Sequence, residues 1–469
     1  MIRRAGLAAS GAAAAALALP SVAAAHGIVG RADLPIPGWL FGWAAAVVLV
    51  VSFVALALLW PEARLEHTRQ RRVIALPAAA DLVLGVAGIA IFAAGVYAGL
   101  AGTQTAAANL MPRLVFVGFW VGVPVASVVF GDVFRLLSPW RAAARAVAWA
   151  AGRLGLRGPA ALPYPARLGW WPAVAGIFAF AWVELVYTGR DDPSTLAVLA
   201  LAYAAIQLVG MSVYGIEAWS RNADAFGVYF SLFARLSAWV RRDGALWLRV
   251  PLSGTTSLPT PPGVVALLAV SIGSTAFDGA AEGQLWTEAG PKLQQLFVDL
   301  GFSLQAGLEI AFTIGLAGAI LVIAGIYHLG VRGMHGVRPA LSTRELSRQF
   351  VHTLIPIAFA YVLAHYFSFL AYEGQAFAFL ISDPLGDGSN LFGTAGQTID
   401  YSLFSATAIW YIQVIVLVTG HVSGLMLAHD RALTVYRSPR EATRSQYWML
   451  VVMVGFTSLG LWLLSVSNQ

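Results

Sequence analysis

The chain alternates long apolar runs with short polar connections over most of its length. Ten runs provide, or come near, the about 20 apolar residues that a helix needs to cross a hydrocarbon core about 30 Å thick. These runs lie near residues 38–60, 79–101, 113–137, 168–187, 195–219, 263–277, 301–330, 350–372, 402–428 and 447–467. The pattern predicts an all-α, polytopic integral membrane protein with about ten transmembrane helices.

Basic residues are concentrated in every second connection. Twenty-three of the 29 Lys and Arg residues lie in five clusters, at 64–72, 135–167, 221–249, 332–348 and 431–444. The other connections, such as Asp191-Asp192 and residues 278–299, are acidic or neutral. The positive-inside bias then predicts that the five clusters are cytoplasmic and that both ends of the mature chain lie outside.

The composition agrees with this topology and narrows the choice of partners. Hydrophobic residues make up 59% of the chain and charged residues 11%, which is far too apolar for a soluble protein. The net charge of +6 is explained by the basic connections, so it predicts a lipid bilayer as partner and no nucleic acid. The absence of cysteine excludes disulfides and thiolate metal sites.

The first 25 residues have the features of a signal peptide. Arg3 and Arg4 precede an apolar stretch at 5–20, and a small-residue cleavage site follows at 23–25. Cleavage would leave His26 at the mature N-terminus, outside the membrane, and residues 26–469 as one transmembrane domain in the bacterial plasma membrane. The alternative is an uncleaved signal anchor, which would add one helix.

The long connection between the fifth and sixth runs contains a second kind of pattern. Aromatic residues including Phe226, Tyr229, Phe230 and Phe233 recur at helical spacing, and several Arg residues lie close by. This arrangement predicts a helix near 226–240 that lies in the inner membrane interface.

Ionisable residues inside the apolar runs are the first candidates for function, because a charge in hydrocarbon is costly. Glu309 and His365 lie at similar depths in the outer halves of the seventh and eighth runs. Glu184 and Glu373 lie near the outer ends of theirs. Together these groups suit a divalent metal, a general base with an orienting acid, or a proton relay. The alternative is that each is paired singly with a neighbouring helix.

Three further groups of residues could bind metal. His352 and His421 lie in the inner halves of two runs, as alternatives to the outer set. A mature N-terminal His26 would offer its amine and imidazole to copper. Asp383 and Asp387, in a loop rich in Gly and Asn, could wrap a cation such as Ca²⁺, although an Asx-rich turn explains the same residues.

Four stretches of the chain resemble a known family. Residues 26–37, 364–368, 383–388 and 444–448 are similar to actinobacterial membrane proteins that carry the name fenitrothion hydrolase. The resemblance implies hydrolysis of a small hydrophobic organophosphorus ester by a water that a metal or a histidine activates. No Walker motif, His-Glu-x-x-His or Gly-x-Ser-x-Gly elbow accompanies it. The competing hypothesis is a transporter, or a metal- or proton-handling protein, with a Glu/His relay in its outer half.

Overall fold

The structure is a computed structural model that describes residues 38–66, 68–77, 79–156, 160–337 and 341–466. The predicted signal peptide and His26 lie outside these residues. Within them, eight helical segments are long and apolar enough to cross a membrane, so the chain is a mainly α-helical, multi-pass membrane protein. The helix near the fourth predicted run has 15 residues. The helix at the tenth has 20.

The helices in chain order are α1 (Gly38–Leu59), α2 (Ala79–Ala101), α3 (Leu110–Phe130), α4 (Val133–Leu137), α5 (Pro139–Arg153), α6 (Trp171–Leu185), α7 (Pro193–Tyr214), α8 (Ile216–Asn222), α9 (Ala225–Ala234), α10 (Val264–Ala281), α11 (Gln284–Asp299), α12 (Leu304–Val337), α13 (Thr343–Phe350), α14 (Leu354–Glu373), α15 (Phe377–Leu380), α16 (Ala406–Val435), α17 (Pro439–Ser445) and α18 (Tyr447–Val466). The strands are β1 (Arg71–Ala75), β2 (Trp239–Arg242) and β3 (Ala245–Leu248).

Helix α10 is the centre of the bundle. It packs against α6, α12 and α14, and 67% of its apolar window is buried. The sequence predicted its end at Phe277, but the helix continues to Ala281 and so includes Asp278. The residues after it, predicted as an acidic connection, form the amphipathic helix α11, which packs on α12.

The helix predicted near residues 226–240 is shorter than expected and is buried within the protein. Helix α9 ends at Ala234, and residues 239–242 are strand β2. Its aromatic residues are buried on all sides, for example Phe226 and Phe230 against the ring of Phe119 at 4.6 and 5.2 Å. The spacing of the aromatic residues thus reflects packing between α3 and α6 inside the protein, and the position at the inner interface stays a prediction.

The five basic clusters meet at one end of the bundle. Strands β1, β3 and β2 form an antiparallel sheet that joins the first cluster to the third, and the sequence analysis did not predict it. Further contacts involve the remaining clusters. Arg431 of the fifth pairs with Glu66 of the first at 2.8 Å and bonds Gln349, next to the fourth, at 3.3 Å. Glu217 pairs with Arg135 of the second and Arg221 of the third, at 2.9 and 3.8 Å. The connections that the charge pattern assigned to one membrane face therefore share one end of the protein.

Helices α14 and α16 form a close helix pair. Gly420 and Gly424 of α16 are four residues apart and face α14, as in small-xxx-small packing. A Cβ atom at Gly420 would lie 2.2 Å from the Cβ of Ala360 and 2.8 Å from the carbonyl oxygen of Pro356. This contact holds α14, which carries His365, in a fixed position.

Candidate functional site

Four polar side chains from three helices form one buried, hydrogen-bonded chain. The His365 Nε2 atom lies 2.8 Å from Oδ2 of Asp278. The Tyr366 hydroxyl donates to the same oxygen at 2.9 Å and lies 3.2 Å from Oε1 of Glu184. Glu184, Asp278 and Tyr366 are 3%, 9% and 2% exposed. The contacts therefore connect Glu184 to Tyr366, Tyr366 to Asp278, and Asp278 to His365.

The spacing of polar residues along α10 explains how Asp278 reaches this position. Ser271, Thr275 and Asp278 are separated by four and three residues, so they lie on one face of the helix. Ser271 donates to the Tyr229 hydroxyl at 3.2 Å, and the Thr275 hydroxyl donates to the Ser271 carbonyl. This polar stripe turns α10 towards α6, α9 and α14.

A π-helical segment of α3 brings an indole to the same group. Residues Leu114–Gly122 are π-helical, a conformation that is rare and often found at functional sites. Pro124 follows and cannot donate to the carbonyl of Trp120, which an α-helical register would require. Trp120 stacks on Tyr229 at 5.3 Å and approaches Glu184 and Tyr366. Its Nε1 atom is buried without a well-aligned acceptor among the described residues.

Too few hydrogens are available for all the contacts between Glu184, Tyr366 and Asp278 if both carboxyl groups are ionised. The Tyr366 hydroxyl carries one hydrogen and lies near oxygens of two carboxyl groups. If both carboxyl groups were ionised, one of these contacts would lack its own hydrogen, and two negative charges would share a dry site. A proton on Glu184 satisfies both contacts, because the acid then donates to the tyrosine oxygen while the hydroxyl donates to Asp278.

His365 is the last member of the hydrogen-bonded series. Its side chain and that of Asp278 are exposed to the same small extent, 10% and 11%. Its Nε2 atom is occupied by Asp278, and no other described residue hydrogen-bonds to Nδ1. A carboxylate on one ring nitrogen fixes the orientation of the ring and leaves the other nitrogen to exchange a proton.

The structure separates the two residues that sequence analysis placed together. Glu309 accepts hydrogen bonds from the Thr188 hydroxyl at 2.8 Å and from Gln305 at 3.3 Å, while His365 bonds Asp278 instead. Both Glu309 contacts are at the protein surface. The expected Glu309–His365 pair is therefore absent from the described contacts, and Asp278 takes the place predicted for Glu309.

The other predicted residues have their own partners. Glu373 forms an ion pair with Arg113 at 2.7 Å. The Asp383 carboxylate accepts from the backbone N–H groups of Asp387 and Gly388 at 3.1 and 3.0 Å, and Asp387 accepts from the backbone N–H of Ser389 at 3.0 Å, which is an Asx turn. Hydrogen bonds from the Ser389 hydroxyl and backbone lower the pKa of the Asp387 carboxyl. Across the described residues, no three His, Asp or Glu side chains are grouped to hold a metal ion.

The inner histidines do not form a set either. His421 Nδ1 lies 2.8 Å from the Leu417 carbonyl oxygen of its own helix. Its Nε2 atom, and that of His352, are buried without a hydrogen-bond partner among the described residues. His421 borders a cavity of about 50 Å³, which is room for a small number of waters.

Sequence reasoning missed Asp278, because it ended the sixth run at Phe277, four residues before the helix ends. The sequence did contain an indication: Asp278 follows Thr275 by three residues, so it continues the polar face of α10 that Ser271 and Thr275 form. Comparison with protein-family models, with curated proteins and with solved structures finds no match. The function is therefore argued from the geometry of the site.

Proposed function

We propose that this protein handles protons within the membrane, as a transporter does, and that the chain from Glu184 through Tyr366 and Asp278 to His365 is its relay. The observation that carries the proposal is the unbroken series of contacts at 3.2, 2.9 and 2.8 Å among buried groups of three helices. Each group can both accept and release a proton, so a proton that enters at His365 can reach Glu184 without crossing hydrocarbon.

Membrane energetics support a relay over a purely structural role. Ionisable groups inside transmembrane helices are costly, and they mark proton and ion pathways more often than they mark packing contacts. A structural network would need only one carboxylate to fix the tyrosine and the histidine. The second carboxyl group, Glu184, adds a proton-binding position at the far end.

We further propose the complete topology: ten spans, an outer N-terminus after cleavage behind Ala25, and a location in the bacterial plasma membrane. The meeting of the five basic clusters at one end supports this orientation. The chain has no cysteine, so single introduced cysteines can be labelled from either side. Cysteines at Arg72, Arg242 and Ser438 should react only from inside, and one at Gly388 only from outside. Labelling of Gly388 and Arg242 from the same side would reject the scheme.

The relay can be tested without knowledge of the substrate. Infrared spectroscopy detects the carbonyl stretch of a protonated carboxylic acid, and we expect such a band at neutral pH that exchanges in D₂O. Glu184→Gln should remove it. Proton flux into proteoliposomes under an imposed potential should be lost in Asp278→Asn and kept in Glu288→Gln, which changes an exposed carboxylate on α11 that pairs with Gln284. A band that survives Glu184→Gln, or equal flux in both variants, would reject the relay.

The second candidate function is hydrolysis of an organophosphorus ester, as the family resemblance implies. The observation in its favour is the Asp278–His365 pair, since a carboxylate-oriented imidazole whose second nitrogen has no hydrogen bond to a described residue can act as a general base towards water. Purified protein would then turn over a chromogenic phosphotriester, and His365→Ala would abolish turnover. Metal analysis of the same sample would show whether a metal shares the site.

A further inference from the structure

A large apolar cavity lies between α2, α3, α6 and α7. Its volume is about 580 Å³, within the range of small-molecule sites. It extends along α7 from Leu196 to Gln207, which corresponds to ~16 Å of helix. Ile91 and Ile206 border it and are also 49% and 59% exposed on the bundle surface. The cavity is therefore open to hydrocarbon and long in the direction of a lipid chain.

Most polar atoms in the cavity wall are already paired with one another. The Trp219 indole donates to the Gln207 side-chain oxygen at 2.8 Å. The Trp140 indole and the Tyr203 hydroxyl both donate to Asp224, at 2.7 and 2.9 Å. Apart from the amide N–H groups of Gln207, these residues offer no donor to a ligand, so the group that fills the cavity is mainly apolar.

A positively charged cluster lies at the end of the cavity near the basic connections. Glu217 is surrounded by four arginines; those at 135, 145 and 221 lie 2.9, 3.2 and 3.8 Å away, and Arg141 is closer. One carboxylate cannot neutralise four guanidinium groups. Pro139 and Trp140 line the cavity immediately before Arg141. The charge excess thus lies directly beside the cavity.

The arginines are arranged to receive an anion. Arg141 is 5% exposed, and its Nε atom has no hydrogen-bond partner among the described residues. The side chains of Arg135 and Arg145 are 44% and 45% exposed, so they can turn towards a ligand. Guanidinium groups bind phosphate oxygens in pairs and with good geometry.

From these observations we infer a binding site for an anionic phospholipid, with one acyl chain in the cavity and the phosphate on the Arg135–Arg141–Arg145 cluster. The cavity receives the acyl chain of such a molecule and the arginines receive its phosphate. A free anion would leave the cavity unfilled, and a neutral lipid would leave the arginines without a negatively charged partner. The site shares no hydrogen bond with the relay, so the two proposals stand or fall separately.

Native mass spectrometry of the full chain can test the site by counting retained lipids after addition of phosphatidylglycerol or phosphatidylcholine. Wild-type protein should retain phosphatidylglycerol in preference to phosphatidylcholine. The double variant Arg135→Gln/Arg145→Gln should bind it about 30-fold more weakly. Arg153→Gln is the matched control, since Arg153 lies over the Trp149 ring outside the cluster, and should bind as wild type does.

Binding of the acyl chain in the cavity can be tested with a separate pair of variants. Ala200→Phe fills the cavity from α7, and Ala205→Phe places the same side chain on an exposed position of that helix. The first should lose phosphatidylglycerol while its melting temperature in detergent stays near wild type, and the second should not. Equal retention of both lipids by wild type, unchanged binding in the arginine double variant, or full thermal stabilisation by inorganic phosphate alone would overturn the inference.

Discussion

Replacement of Tyr366 by Phe removes the one atom that joins the two carboxyl groups of the relay. The hydroxyl contacts Asp278 at 2.9 Å and Glu184 at 3.2 Å, and both carboxyl groups are at least nine-tenths buried. Loss of one partner from a buried hydrogen bond costs about 1–3 kcal/mol, so two shared contacts correspond to about 2–4 kcal/mol of stability. A proton could then no longer pass between Glu184 and Asp278.

The functional loss should be larger than the loss of stability suggests. Positioned proton transfer contributes about 10²–10⁴-fold to a rate, so proton flux in proteoliposomes should fall by that order in Tyr366→Phe. The melting temperature in detergent should fall by only a few degrees, because the ring and its packing remain. Infrared spectra should still show the protonated carboxyl group, now isolated and slower to exchange in D₂O.

Tyr361 offers a matched control on the same helix. It is 8% exposed, its ring stacks on Phe456 at 5.4 Å, and its hydroxyl belongs to no hydrogen bond with another described residue. Tyr361→Phe should therefore keep wild-type flux. Tyr366→Phe protein that retains flux but melts early would show that the hydroxyl is structural, and the relay would be refuted.

Three further substitutions test other parts of the structure. Glu309→Gln should change activity and melting temperature little, because its hydrogen bonds are exposed and worth about 1 kcal/mol or less; loss of activity would restore the sequence-based pairing with His365. Gly420→Ala should lower the melting temperature strongly and Gly318→Ala, where a Cβ atom meets nothing within 4 Å, should not. Burial alone would raise the pKa of Glu217, but the hydrogen bond and charge of Arg141 and the neighbouring arginines lower it. Its contribution to stability should thus be present above the ordinary pKa of a glutamate and decline as the pH falls through the lowered value; melting curves of Glu217→Gln should lack this decline.

The apolar runs and basic clusters were sufficient to predict a helical, multi-pass protein, because both follow from the composition of the bilayer. They were not sufficient to predict the sheet. Strand β1 has five residues and pairs with β3 across more than 160 positions of sequence, so no local pattern reports the partner. The aromatic spacing around Phe230 was ambiguous for another reason: a buried helix and an interfacial helix have the same period.

The sequence was likewise sufficient to predict part of the candidate site but not the contacts within it. His365, Tyr366 and Glu184 could be identified from depth alone, because each lies inside an apolar run. Their mutual contacts could not, since depth gives a position along the membrane normal and not the face of the helix. Asp278 was assigned to a connection because a carboxylate after Phe277 resembles the start of an acidic loop.

The contacts of Asp278 also explain how α10 can carry a carboxylate in its last turn. A carboxylate in the last turn of a transmembrane helix would ordinarily reach for water, and the exposed Glu282 one turn later does. Asp278 instead accepts from His365 and Tyr366, both on α14, through a single oxygen. The pairing satisfies this oxygen within the protein, so α10 is buried as far as Asp278, and its last three residues are half-buried. Any movement of α14 relative to α10 would lengthen these two contacts together, and the relay would open and close as one unit.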